Sequence, residues 1–371
     1  MKRLFRFSVI CGVLLSFLLG AGSEGVAQEL TYAGPAITLR FSTHQASTHP
    51  LFKYNWNPFF ELVKNESKGK LLFQVYAAES LHGARDGFKA CVNNITDWTM
   101  GYPSWQAGSF QLTHVIEMPF IFPGTQVASM IAEDIYPKYF KKEFENMGVY
   151  LSTFFTTSST HILSKKPIRK LEDLKGMKIR TSGGVTSEIL KSLGGVPVFL
   201  PTPEIYNAFQ RGVIDGVLTT KGDHVAFRTH EVGKYLTEIG AYMIPVPTIL
   251  NRKTFDGLPK DVKRMFYLQL RRFNQMGAAG YDSNDKEGVE TMKKAGVEVI
   301  ALSPAESEKC RKLVEPLWEE FIKKNEAKGL PARQLVEDMR SLSQKYGSWS
   351  SEQLMKKTVD QPNMEIIDGM K

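Results

Sequence analysis

Arg180 ends the alternating part of GMKIRTSGG, residues 176–184, and its surroundings suit it to hold an anion. Met177 and Ile179 alternate with Lys178 and Arg180, which predicts a short strand with one buried face. Gly183-Gly184 then turns the chain into the apolar-periodic run VTSEILKSL, so the guanidinium stands beside a helix N-terminus. A forked donor and the free N–H groups of a helix start both favour a negatively charged group. A structural carboxylate would suit the same arginine equally well, and the local sequence leaves both roles open.

The other residues that could do chemistry are not arranged for it. No Gly-x-Gly-x-x-Gly follows a strand, and P-loop, His-Glu-x-x-His and Gly-x-Ser-x-Gly motifs are missing from the sequence. His44 and His49 stand five apart without a nearby Cys or acid, so metal binding there is not indicated. Asp97, Glu117, Glu204 and Asp215 are scattered, with no pair set up for acid–base work. Binding is therefore expected rather than catalysis, with no cofactor. An exported enzyme using His44, His161 and Asp97 is the alternative from a different class.

The elements around Arg180 read as α/β. ITLRFST (37–43), LLFQVY (71–76) and TDWTMGY (96–102) are expected strands separated by helical runs, which implies a mainly parallel sheet covered by helices. GMKIR, VPVFL and VIDGVLTT repeat this grammar. TPEIYNAFQRGV lies between the last two as a helix with Thr202 as N-cap and Pro203 at N1. Residues 259–295 carry one unusually long helical pattern, about 50 Å from end to end. Ser303-Pro-Ala-Glu306 reads as a capping box, and the chain after Gly347 as a loosely structured tail.

Composition bounds the class. The chain has 371 residues, 42% apolar and 23% charged, which is ordinary globular usage and long enough for two domains. Lys2, Arg3 and Arg6 precede the apolar run FSVICGVLLSFLLGAG, and Gly-Val-Ala precedes Gln28, which predicts a cleaved signal peptide over 1–27. An N-terminal anchor is the competing reading, but the apolar run is short for a span. The formal net charge of +8 becomes +6 when Lys2, Arg3, Arg6 and Glu24 leave with that segment. No basic block interleaves with aromatics, so nucleic acid is not an expected partner. Cys91 and Cys310 remain, either as one bridge or as two buried thiols.

Several motifs in order carry a family resemblance. LRFSTHQASTHP resembles a first strand and loop, and VYAAESLHGARDGFKACVNNITDWTMG resembles the block that follows it. FQLTHVIEMPFIF is similar to a Leu-Pro-Phe segment. KKPIRKLEDLKGMKIRTSGG resembles the most specific signature, and LGGVPVFLPTPEIYNAFQRGVIDG is close to the segment after it. Across roughly residues 37–330 the chain resembles the extracytoplasmic solute-binding proteins of TRAP transporters, in the dicarboxylate-binding family. That resemblance implies a type II-like two-lobed periplasmic binding protein with a long helix spanning both lobes. It implies lobe I at 28–155 plus 243–285, lobe II at 156–242 plus 286–346, and a tail at 347–371. It also implies capture of a small-molecule carboxylate in the periplasm and transient docking on TRAP membrane permease subunits, whose transport is driven by an ion gradient. A receptor feeding a sensor kinase is a further alternative.

By family position Arg180 clamps the ligand carboxylate. Thr160, beside His161, stands near the place of a second arginine that many members carry, and Thr219 stands where many have asparagine. The missing second cation favours a monocarboxylate with an apolar or aromatic remainder. Position adds Trp98 and Tyr102 at the third strand, with Trp105 just beyond, as stacking rings. It also adds His44 at the end of the first strand, and Tyr206 from the Glu-x-Tyr motif.

Overall fold

The structure is a computed structural model that describes residues 30–106 and 108–370. The expected signal peptide lies outside the described residues. The strands in chain order are β1 (Ile37–Ser42), β2 (Leu71–Tyr76), β3 (Trp98–Met100), β4 (Val149–Ser159), β5 (His161–Ser164), β6 (Lys178–Thr181), β7 (Val196–Phe199), β8 (Gly216–Thr219), β9 (Tyr235–Glu238), β10 (Met243–Asn251) and β11 (Glu298–Ala301). They form one sheet in the order β2-β1-β3-β10-β4 and a second in the order β11-β9-β5-β8-β6-β7. Each sheet is the centre of a lobe. Among the described residues no helix is long and apolar enough to cross a membrane.

Both sheets are mixed, where the sequence pattern suggested mainly parallel ones. β10 runs antiparallel to β3 and β4, and β5 runs antiparallel to β8 and β9. The connections between lobes are the reason. β4 carries the chain out of the first sheet and β10 carries it back, so these neighbours must point in opposite directions. Thr160 is the single residue between β4 and β5, and it bonds across the crossover. Its N–H donates to Tyr242 O at 2.9 Å and its hydroxyl to the same oxygen at 3.1 Å.

The helix Lys260–Lys294, 35 residues long, is the third connection. At 1.5 Å per residue it is about 50 Å long. Its Asn274 receives Phe154 N–H on β4 at 2.7 Å, while its Asp285 receives Gly222 N–H in the second lobe at 2.7 Å. Two glycines set that second contact. A Cβ on Gly288 would lie 2.7 Å from Gly222 Cα and 2.9 Å from Lys221 O. The two helices touch backbone to backbone there.

An aromatic-rich core fills the first lobe, built on Phe41, Trp56, Phe59, Trp98 and Phe273. Two smaller cores lie in the second lobe, one around Ile162, Ile179 and Leu218, the other around Leu163, Phe209 and Val217. The C-terminal region departs from expectation. Residues 347–371, expected as a loose tail, include the helix Ser351–Asp360, and Leu354, Ile366 and Ile367 are buried in the first lobe's core. Phe321, Leu335 and Met339 join the same core, although the family resemblance implies that residues 286–346 belong to the second lobe. Their apolar faces are short and spaced by charges, so which sheet they cover is fixed only by tertiary contact. Cys91 and Cys310 are both free and buried.

Ser303 caps the helix Pro304–Val314 by accepting from Glu306 N–H, but Glu306 turns away to receive Leu171 N–H at 2.7 Å, so the box is not reciprocal. Thr202 is not an N-cap. It lies inside the 3-10 turn Thr202–Glu204, whose preceding residue is Pro201.

Candidate functional site

Arg180 stands on β6, whose alternation is the expected one. Ile179 enters the core, and Arg180 points to the opposite face. Gly183 and Gly184 have φ of +95° and +58°, left-handed conformations that admit glycine at little cost, and they turn the chain into the helix Val185–Ser192. Arg180 Nε donates to Leu200 O at 2.9 Å, which fixes the plane of the guanidinium and leaves its two terminal nitrogens for another acceptor. Arg180 is only 3% exposed, and no carboxylate among the described residues lies within ion-pair distance of it. Burial lowers its pKa to about 10, against the pull of Tyr242 and Asp223. A buried cation without a counter-ion is costly, and a bound anion removes much of that cost.

Arg180 faces a cavity of ≈ 40 Å³ between the lobes. The first lobe contributes His44, Gln45, Tyr102 and Trp105, and the second contributes Ser182, Thr202, Thr219, Asp223 and Phe227. Thr157, Ile244 and Val246 come from the connecting strands, and Tyr281 from the long helix. Every crossing element therefore touches it. The first-lobe wall is aromatic. Tyr102 and Trp105 lie with ring centroids 4.4 Å apart, and His44 meets them edge-on at 5.6 and 5.5 Å. Burial lowers the His44 pKa to about 4, with help from His82 and Arg180, so the imidazole is neutral at pH 7.

Five of the expected residues, His44, Tyr102, Trp105, Arg180 and Thr219, line this cavity. Thr160 and His161 do not, because they form the crossover. His161 is buried, its Nδ1 meeting Gly240 N–H at 3.3 Å and its carbonyl meeting His224. Trp98 is fully buried in the first core, where its Nε1–H donates to Ser152 Oγ at 2.8 Å. Tyr206 lies on the outer surface of the second lobe, bonded to Glu231 and under the Arg228 guanidinium. The acid of the enzyme alternative, Asp97, is held by Arg40 at 2.9 Å and receives Thr254 Oγ1–H. His44, His161 and Asp97 are thus not assembled in this cavity.

Sequence reasoning missed Asp223, Phe227 and Tyr281. Asp223 sits in the helix Lys221–Ala226, where Thr220 is the N-cap and accepts from Asp223 N–H at 3.2 Å. Its pKa is raised to about 7, chiefly by burial and then by Asp285, against Thr220, Arg180 and Thr219. The one sequence signal was Thr220-Lys-Gly-Asp directly after the Thr219 strand end, a cap followed by an acid in the first turn.

Residues 41–325 match the family model for bacterial extracellular solute-binding proteins, family 7. A solute-binding protein of Albidiferax ferrireducens is 27% identical over 268 residues, covering 71% of this chain and 79% of that one. Among solved structures, a TRAP solute-binding protein from Rhodoferax ferrireducens in complex with benzoate superposes with a TM-score of 0.79. It is 21% identical, and the match covers 84% of this chain and 99% of that one. A marine metagenome TRAP solute-binding protein in complex with 3-hydroxybenzoate gives a TM-score of 0.79 at 22% identity, with 84% and 99% covered.

Proposed function

The chain belongs to the bacterial extracellular solute-binding proteins of family 7, and from that premise we propose that it is the periplasmic receptor of a TRAP transporter for a small organic acid. The acid's carboxylate sits on the terminal nitrogens of Arg180, the lobes close over it, and the closed form delivers it to the membrane permease. The observation that carries the reading is Arg180 itself, buried at an interlobe cavity with no carboxylate among the described residues within ion-pair distance.

The wall chemistry narrows the ligand. The cavity offers one fixed cation, and Tyr102, Trp105 and Phe227 offer ring faces. This suits a monocarboxylate with an apolar or aromatic remainder better than a dicarboxylate. The relatives solved with benzoate and 3-hydroxybenzoate carry ligands of that kind. No catalytic role is assigned to the cavity residues, and the bound acid leaves unchanged.

A thermal-shift screen against a library of organic acids tests the reading, since a ligand that binds only the folded state raises Tm by mass action. Monocarboxylates should give the largest shifts, and Arg180→Ala should abolish them. A library in which no carboxylate shifts the wild type would overturn the proposal.

A further inference from the structure

Asp223 is the one acid that lines the cavity, and it is 5% exposed. Its Oδ1 has no hydrogen-bond partner among the described residues. His49, from the loop after β1, faces it across the interlobe boundary, with Nε2 at 3.6 Å from Oδ1. That distance is too long for a hydrogen bond, and Nε2 is likewise without a partner. The tautomer follows from the other ring nitrogen. Nδ1 receives Leu51 N–H at 3.2 Å, so it carries the lone pair and Nε2 carries the proton. Burial holds His49 neutral, with a pKa near 3.

A buried donor and a buried acceptor thus stand side by side, each unsatisfied, and Asp223 lines the same cavity as Arg180 while His49 lines the neighbouring pocket. Leaving such groups unpaired in the interior is unfavourable, because each has given up its bonds to water without replacement. Two atoms at this separation share positions roughly 2.8 Å from both. The group that suits such a position both accepts and donates. A hydroxyl does so. An ammonium offers nothing to the His49 N–H, and a second carboxylate meets the Asp223 oxygen with like charge.

Resting on the carboxylate reading above, we propose that the ligand is a hydroxycarboxylate. Its carboxylate is held by Arg180, and its hydroxyl donates to Asp223 Oδ1 while accepting from His49 Nε2–H. Asp223 and His49 are specificity-determining residues, and each lobe supplies one of them, so the hydroxyl also ties the lobes together.

Calorimetry with matched acids tests this: propanoate against lactate, benzoate against 3-hydroxybenzoate, and phenylacetate against mandelate. In the wild type at least one hydroxylated acid should bind tenfold or more tighter than its parent. Asp223→Ala should reduce that ratio to below threefold. Asp223→Asn, which keeps an acceptor oxygen, should retain more of the ratio than Asp223→Ala. His49→Ala provides the second route to the same loss should Asp223→Ala not fold. Equal binding of parent and hydroxylated acids by the wild type, or a ratio that survives in the folded alanine variants, would overturn the proposal. Either result leaves the carboxylate reading intact provided Arg180→Ala still abolishes binding. Wild type that binds none of the acids overturns both.

Discussion

Arg180→Ala is the most informative perturbation, and the structure sets its size. Leu200 O already takes the Nε–H at 2.9 Å, so a ligand carboxylate has the two terminal nitrogens available to it. Charge-assisted hydrogen bonds contribute about 1.5–3 kcal/mol each. Two at the lower value give roughly 3 kcal/mol, which at about 1.4 kcal/mol per tenfold is on the order of a hundredfold in Kd. The effect on stability should be small. Burial has already lowered the guanidinium pKa to about 10, so the unliganded fold holds this charge at a cost that truncation relieves. The lost Leu200 bond offsets part of that gain. Tm without ligand should therefore stay within about 3 °C of wild type. Calorimetry on a carboxylate that binds the wild type, paired with calorimetric melting of the free protein, measures both quantities. Arg180→Lys should recover little of the affinity, because lysine keeps the charge but lacks the planar fork. A variant that keeps its affinity while melting far below wild type would refute the reasoning and make Arg180 a structural residue.

Other residues give separate tests. Trp98→Phe should lower stability by about 1–2 kcal/mol through the lost Ser152 bond and a partly unfilled core, with ligand affinity unchanged within twofold, read from denaturant melts and calorimetry. Gly288→Ala should destabilise by about 1–3 kcal/mol, because its Cβ would press on Gly222 Cα at 2.7 Å; a chemical melt indistinguishable from wild type would show that the helix contact yields freely. The Asp223 carboxyl has a folded pKa of about 7, above the unfolded value of about 3.9. Its contribution is complete below about pH 4 and is lost as pH rises through 7. The Tm gain of Asp223→Asn over wild type should therefore grow between pH 4 and pH 7.5, and a flat difference would contradict the burial argument. Comparing variant with wild type cancels the buried His49, His161 and His224, whose pKa values near 3 make stability fall in the opposite direction as pH drops.

The sequence showed what is local and concealed what is long-range. Arg180 was legible because a four-residue strand, two glycines and a helix start follow one another within a dozen positions. Thr219 was legible for a similar reason, as the end of a strand. Trp98 was misjudged because all of β3 is buried, so alternation does not say which face meets the cleft. Tyr102, four residues on and past the strand end, is the ring that reaches the cavity. Thr160 and His161 were placed by family register, yet a single-residue crossover between sheets confines both to backbone pairing. Asp223 and Tyr281 become neighbours of Arg180 only when the helix Lys221–Ala226 docks on the long helix, through Gly222 and Asp285 at a sequence separation of 63. The C-terminal helix is hard to recognise in the sequence because its buried positions, Leu354 and Thr358, make a stripe too sparse to stand out without the core it covers.

A crystal structure of the protein with a bound monocarboxylate tests the central claim most directly. The carboxylate oxygens should lie about 2.7–2.9 Å from the two terminal nitrogens of Arg180, with the organic remainder against Tyr102 and Trp105. A ligand seated elsewhere, or an Arg180 found paired with Asp223 while the ligand is bound, would contradict it.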